Sequence, residues 1–145
     1  PYLEAVIKEA LRKHPPIIRL ERRVNAESYE IAGIKLPNNL LMEISILGMH
    51  YDPDYYPDPQ RFDPERWLPE NKHLLVPYTY LPFGDGPRNC VGMRFAYQEI
   101  KLALAHLLTK YRFEPNSRTP EKCQFRADIP LLAVKELPVS IVRRD

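Results

Sequence analysis

Phe83-Gly84-Asp85-Gly86-Pro87-Arg88-Asn89-Cys90-Val91-Gly92 is the stretch on which the reading of this chain turns. Gly84, Gly86 and Gly92 permit backbone conformations and close approaches that a Cβ would block. Cys90 stands just ahead of a long periodic segment in which Phe95, Ala96, Ile100, Ala103, Leu104, Leu107, Leu108 and Tyr111 trace one face, which predicts a helix of roughly five turns. The N-terminal N–H groups and dipole of such a helix favour a negative sulfur. Arg88, two residues before Cys90, is a cation able to reach a carboxylate on a large anionic ligand. Phe83 can cover the sulfur. The commoner use of a lone cysteine is as a small buried residue. A zinc site lacks partners, because there is no Cys-x-x-Cys and His14, His50, His73 and His106 have no ligand-like spacing. Cys123 has no comparable context.

Upstream of this stretch, Leu3, Val6, Ile7, Ala10 and Leu11 predict an amphipathic helix over residues 1–14, with Pro1 suited to a first turn and Pro15-Pro16 ending it. Residues 17–49 look like strands, with a hairpin turn placed at Pro37-Asn38-Asn39. Leu40 to Met49 is too short and mixed to separate strand from helix. Five prolines between Asp52 and Pro69 forbid regular structure over most of that segment, yet its aromatics argue for a coil packed on the core. Residues 112–145 hold short apolar runs broken by prolines and read as a terminal β-rich region.

The bulk numbers bound the rest. The 145 residues are 44% hydrophobic and 28% charged, an ordinary globular composition suited to one core. Sixteen prolines against five glycines imply long stretches of ordered, irregular backbone. A net charge of +2, without long basic runs, argues against a nucleic-acid partner. Two cysteines make no disulfide framework and read as intracellular thiols. No apolar run approaches the ~18 residues of a membrane span. Opening on Pro1-Tyr2-Leu3-Glu4, directly in a helical pattern, the chain reads as cut from a larger protein.

Glu9-Ala10-Leu11-Arg12 sets an acid and a base on one helical face. Such pairs are usually solvated contacts contributing ~0–1 kcal/mol. Together with the cysteine stretch, however, the pair carries a resemblance. Phe-x-x-Gly-x-Arg-x-Cys-x-Gly, met at Phe83, Gly86, Arg88, Cys90 and Gly92, resembles the haem-binding signature of the cytochrome P450 superfamily. Glu9-x-x-Arg12 resembles its Glu-x-x-Arg motif. Phe62-Asp63-Pro64-Glu65-Arg66-Trp67 resembles its Pro-Glu-Arg-Phe element, with Trp67 in place of the last Phe. The wording from Met93 to Leu104 is most similar to the microsomal, xenobiotic- and steroid-oxidising branch related to thromboxane synthase.

The resemblance implies a mainly α fold with small β-sheets (α+β), of which residues 1–145 are the C-terminal part of a single haem-binding domain. The distal helix, with its acid-alcohol pair, and the N-terminal membrane anchor would lie upstream. It implies haem b, with Cys90 as iron ligand, and a cofactor-binding set of Phe83, Gly84, Gly86, Arg88, Gly92 and Arg22. Arg22 falls where the family puts an arginine on a haem propionate, and Arg23 is the rival. Glu9, Arg12 and Arg66 would form a buried structural triad, and Ile17, Ile18, Arg19, Ile129, Pro130 and Leu131 would line the substrate pocket. The implied enzyme takes NADPH-derived electrons from an NADPH-cytochrome reductase, at the cytosolic face of the endoplasmic reticulum membrane, to insert one oxygen atom of O2 into an apolar small molecule. The alternatives are a truncated, non-enzymatic haem-binding or interaction product and a haem-thiolate isomerase or dehydratase.

Overall fold

The structure is a computed structural model, and it describes residues 1–144. Helix α1, Tyr2–Lys13, has Pro1 as its N-cap and stops at His14, as the Pro15-Pro16 pair requires. Its buried residues are Ala5, Ile7, Glu9 and Arg12, so the inward stripe is half apolar and half charged. The chain then runs into β1, Arg19–Arg23, which pairs antiparallel with β4, Leu41–Ser45. The intervening β2, Tyr29–Ile31, and β3, Ile34–Leu36, form a separate hairpin.

That hairpin turns at Ala32-Gly33, both with positive φ (49° and 80°), rather than at the expected Pro37-Asn38-Asn39. Two left-handed residues match the right-handed twist of the flanking strands. The Pro37-Asn38-Asn39 turn has a different task. Asn39, at φ 64°, donates its N–H to the Val24 carbonyl and returns the chain to β1. Leu40 to Met49 resolves into both alternatives. β4 ends at Ser45, whose Oγ accepts the Gly48 N–H at 3.0 Å and caps α2, Ile46–His50.

The proline-rich segment is irregular apart from short 3-10 turns at Pro64–Trp67 and Pro69–Leu74. Helix α3, Met93–Lys110, follows the cysteine stretch, and β5, Tyr111–Pro115, pairs antiparallel with β6, Val139–Arg143. Three helices and three two-stranded antiparallel sheets among the described residues make an α+β fold. Among the described residues no helix is long and apolar enough to cross a membrane.

The core is small. Ala5, Ile7, Val24, Ile46, Tyr56 and Leu81 are its buried hydrophobic residues, and Glu9, Arg12, His50 and Thr79 are buried among the polar ones. It gathers α1, α2, the proline-rich coil and residues 79–82 around one centre. α3 buries no residue, and on it Phe95 is 73% and Leu102 62% exposed. Its apolar stripe therefore meets little of this chain.

The hairpin turn yields a direct test. Ala32 carries a Cβ in the left-handed region, where asparagine is better tolerated. Ala32→Asn should stabilise the protein by ~0.5–1 kcal/mol. Gly33→Ala, with no atom within 4 Å of its new Cβ, should cost ~1–2 kcal/mol from backbone strain alone. Urea midpoints of the two variants check both signs.

Candidate functional site: a buried ion pair and a cysteine loop

Glu9 and Arg12 lie on the buried face of α1, each with 0% exposure. Arg12 Nε donates to Glu9 Oε2 at 2.9 Å and Nη2 to Glu9 Oε1 at 2.8 Å, a two-pronged pairing. The remaining guanidinium donors reach main-chain carbonyls: His50 at 2.7 Å, Pro59 at 2.9 Å and Arg61 at 3.3 Å. The guanidinium carbon also lies over the rings of Tyr56 (5.2 Å) and Tyr51 (5.6 Å). One side chain thus fastens α1 to the end of α2 and to the irregular coil.

Glu9 is equally saturated. Oε1 accepts the Asp63 N–H at 3.0 Å, and Oε2 accepts the Trp67 indole N–H at 2.9 Å. Burial works against ionisation of Glu9, but the Arg12, Asp63 and Trp67 hydrogen bonds outweigh it and hold the carboxyl below the usual carboxylate range. Arg66 is the loosest of the three charged residues. Its Nε lies 3.7 Å from Glu9 Oε1 and has no hydrogen-bond partner, while Nη2 donates to the Asp58 carbonyl at 3.1 Å. Trp67 occupies the place that the motif gives to phenylalanine, and its N–H makes the closer bond to Glu9. Reading Trp67 as an aromatic exchange missed that donor.

His50 was also passed over. It is the last residue of α2, with 0% exposure, and its ring bridges two backbones. Nδ1 lies 3.0 Å from the Arg12 carbonyl oxygen, and Nε2 accepts the Leu81 N–H at 3.0 Å. No ligand-like spacing could have revealed it, because its partners are main-chain groups.

From Leu81 the chain enters the cysteine loop. The Gly84 N–H donates to the Leu81 carbonyl at 3.0 Å, the Asp85 side chain accepts the Gly86 N–H at 2.6 Å, and a short 3-10 turn follows at Gly86–Arg88. Gly84 (φ 71°) and Gly86 (φ 76°) adopt left-handed backbone that a side chain would strain. The loop closes where the Cys90 N–H donates to the Phe83 carbonyl at 2.8 Å, and the Cys90 carbonyl then accepts the Met93 N–H at the start of α3. Cys90 is exposed, not packed as a small core residue. Gly92 has an ordinary φ of −85°. A Cβ there would stand 3.9 Å from the Cys90 sulfur, an ordinary contact, so its backbone conformation does not demand glycine.

Phe83 is half-buried and packs against Tyr97 of α3 at 5.3 Å between ring centroids. Arg88 is exposed and Arg22 half-buried, and neither forms an ion pair among the described residues. Strand alternation separates Arg22 from Arg23. Leu20 approaches Gly84, with its methyl carbons 3.8–3.9 Å from the position of a Cβ, and Arg22 shares Leu20's side of β1. Arg23 is on the other side, with Nη1 donating to the Asn39 carbonyl at 2.8 Å.

The Leu132 N–H donates to the Pro16 carbonyl at 2.9 Å, which brings Ile129, Pro130 and Leu131 toward Ile17, Ile18 and Arg19. Ile17, Ile18, Pro130 and Leu131 are exposed and Ile129 half-buried, while Arg19 pairs with Glu21 at 3.3 Å and Glu43 at 3.6 Å. A cleft of about 840 Å³ beside them takes in Ile18, Arg19, Phe125 and Leu132, but no residue of 83–92 lines it.

These residues can hold one large group on the sulfur. Cys90 is exposed on a closed loop, Gly86 has open space where a Cβ would stand, and Arg22 and Arg88, without ion-pair partners among the described residues, are available to an anionic rim. No cluster of three or more His, Cys, Asp or Glu among the described residues is placed to hold a metal ion, and Cys90 offers one lone sulfur. A haem fits that description.

Two outcomes follow from this geometry. Trp67→Phe keeps one aromatic ring but removes the N–H bonded to a buried carboxylate, which should cost at least ~1.5–3 kcal/mol in a urea titration. His50 is held neutral, its pKa brought from 6.5 to about 4 chiefly by burial. The unfolded chain therefore binds a proton that the folded chain refuses. Its contribution to stability is complete above pH 6.5 and should be lost as pH falls toward about 4, a slope that His50→Gln should flatten.

Comparison with known proteins gives the family. A family model described as Cytochrome P450 matches residues 1–142. Cytochrome P450 6k1 of Blattella germanica is 42% identical over 99% of this chain, and so is Cytochrome P450 3A16 of Mus musculus. Thromboxane-A synthase of Sus scrofa is 40% identical over the same share. The chain spans 27–28% of the length of these relatives. It belongs to the cytochrome P450 family.

Proposed function

We propose that residues 1–145 are the C-terminal part of the haem-binding domain of a monooxygenase, with Cys90 as the thiolate on the iron. The exposed Cys90 at the end of the closed loop is the observation that carries this reading. Cys90 stands just ahead of the N-terminal end of α3, and Phe83 packs against Tyr97 of that helix. Arg22 and Arg88 supply the cations for the two propionates. The shared side of Leu20 and Arg22, with Leu20 against the loop, supports Arg22 over Arg23.

When bound, the haem supplies the oxygen chemistry: NADPH-derived electrons and thiolate donation favour O–O cleavage and transfer of one oxygen atom to an apolar substrate. Residues of this chain prepare that chemistry from the proximal side. Glu9, Arg12 and Arg66 lock the coil, and the coil and α2 together support the loop. Ile17, Ile18 and Arg19, drawn toward Ile129, Pro130 and Leu131, supply part of a substrate wall whose remainder lies in other segments. The exposed stripe of α3 takes its cover from those segments too. The full protein receives its electrons from an NADPH-cytochrome reductase and works at the cytosolic face of the endoplasmic reticulum membrane. The similarity to Cytochrome P450 3A16 of Mus musculus and Thromboxane-A synthase of Sus scrofa supports that reading.

A reduced, carbon monoxide-treated spectrum tests the ligand. The full-length protein should show the strongly red-shifted Soret band of a thiolate-bound haem, and Cys90→Ser should lose it. Retention of that band by Cys90→Ser would refute the assignment. Glu9→Ala and Arg12→Ala should both abolish haem incorporation, and residues 1–145 expressed alone should show no monooxygenase activity.

A further inference from the structure

We infer that His50 is a positioning residue for the sulfur loop: its ring transmits the alignment of the Glu9–Arg12 pair to the backbone that ends at Cys90. This rests on the proposal that Cys90 is the haem ligand. Residue 50 grips Arg12 twice, its carbonyl accepting Nη1 at 2.7 Å and its ring Nδ1 meeting the Arg12 carbonyl at 3.0 Å. The Arg12 carbonyl can only accept, so Nδ1 carries the proton. The Leu81 N–H can only donate, so Nε2 presents its lone pair. Both ring nitrogens are thereby assigned, and the ring cannot flip without losing both bonds. It is stacked on Tyr80 at 5.6 Å and edge-on to Tyr56 at 6.3 Å.

Leu81 is the right place for such an anchor. Leu81 and Pro82 are buried, Phe83 and Gly84 half-buried, and residues 85–91 exposed. His50 therefore holds the last fixed residues before the chain leaves the core. Two further backbone bonds carry that position onward, from the Leu81 carbonyl to the Gly84 N–H and from the Phe83 carbonyl to the Cys90 N–H. The titratable and charged groups facing the ring are Glu9 and Arg12 from α1, Tyr56 from the coil and Tyr80 from the segment before the loop. Burial and the Arg12 charge disfavour a proton on Nε2, which would set donor against donor at Leu81.

Three substitutions in the full-length, haem-loaded protein separate the functions of the ring. Glutamine can offer an acceptor near the position of Nε2, asparagine can replace only Nδ1, and phenylalanine keeps the aromatic volume without either bond. The readout is the fraction of protein that shows the red-shifted thiolate band, together with its loss on acidification. His50→Gln should retain about fivefold more thiolate-ligated haem than His50→Phe or His50→Asn, the effect of one backbone hydrogen bond. Its acid profile should lack the wild-type fall as pH drops toward about 4, where Nε2 would take up a proton. If His50→Phe ranks first, the ring acts by packing and the inference is overturned. It is overturned equally if His50→Asn ranks first or if all three variants lose the band alike. Absence of the band from the wild-type protein would instead refute Cys90 as ligand.

Discussion

Arg12 is the constraint on which the rest of the chain depends. A fully buried guanidinium is tolerable only when its donors are used, and here they end on one carboxylate and three carbonyls. Those carbonyls belong to His50, Pro59 and Arg61, so one side chain determines where α2 and the coil stand relative to α1. The ion pair need not add net stability over an apolar pair of similar volume. Its consequence is geometric. A proline-rich segment that cannot build strand or helix ladders is held by charge-assisted bonds to its backbone instead.

The arrangement also explains how a small apolar core suffices to hold a site. Few hydrophobic side chains are fully buried, while the centre is filled by Glu9, Arg12, His50 and the rings of Tyr56, Trp67 and Tyr80. Tyr80 continues the lattice outward, its hydroxyl 3.0 Å from that of Tyr97 on α3, and Lys101 on the same helix reaches Glu4 of α1 at 2.7 Å. α3 is thus tied to α1 by polar contacts on one side and leaves its apolar stripe exposed. The cysteine loop lies between these two attachments, held by Leu81 at its start and by α3 at its end.

Much of this was legible in residue order, and the exceptions share a cause. Period and proline placement located α1, α3 and the irregular coil, since those signals are local. The hairpin turn was misplaced because Pro37-Asn38-Asn39 looks like a turn and is one, but it joins β4 to β1 through the pairing around Val24. Ala32-Gly33 was the less conspicuous pair. Glu9, Arg12, Arg66 and Cys90 stood out through motifs. His50 and Trp67 did not, because their partners are a backbone amide and a carboxylate far away in the chain. Spacing rules find side chains that meet side chains. They are blind to a ring that meets a main-chain N–H. Ile17 and Ile18 are exposed, which their apolar character does not announce.

The central claim is that the buried pair and the sulfur loop form one mechanical unit. Native-state hydrogen exchange on the full-length protein carrying Arg12→Lys tests it most directly. Lysine keeps the charge but cannot serve Glu9 and three carbonyls at once. The account predicts that amide protection falls together in residues 59–67 and 79–92. Loss of protection in the coil alone, with Leu81 and Cys90 exchanging as in the wild type, would contradict it.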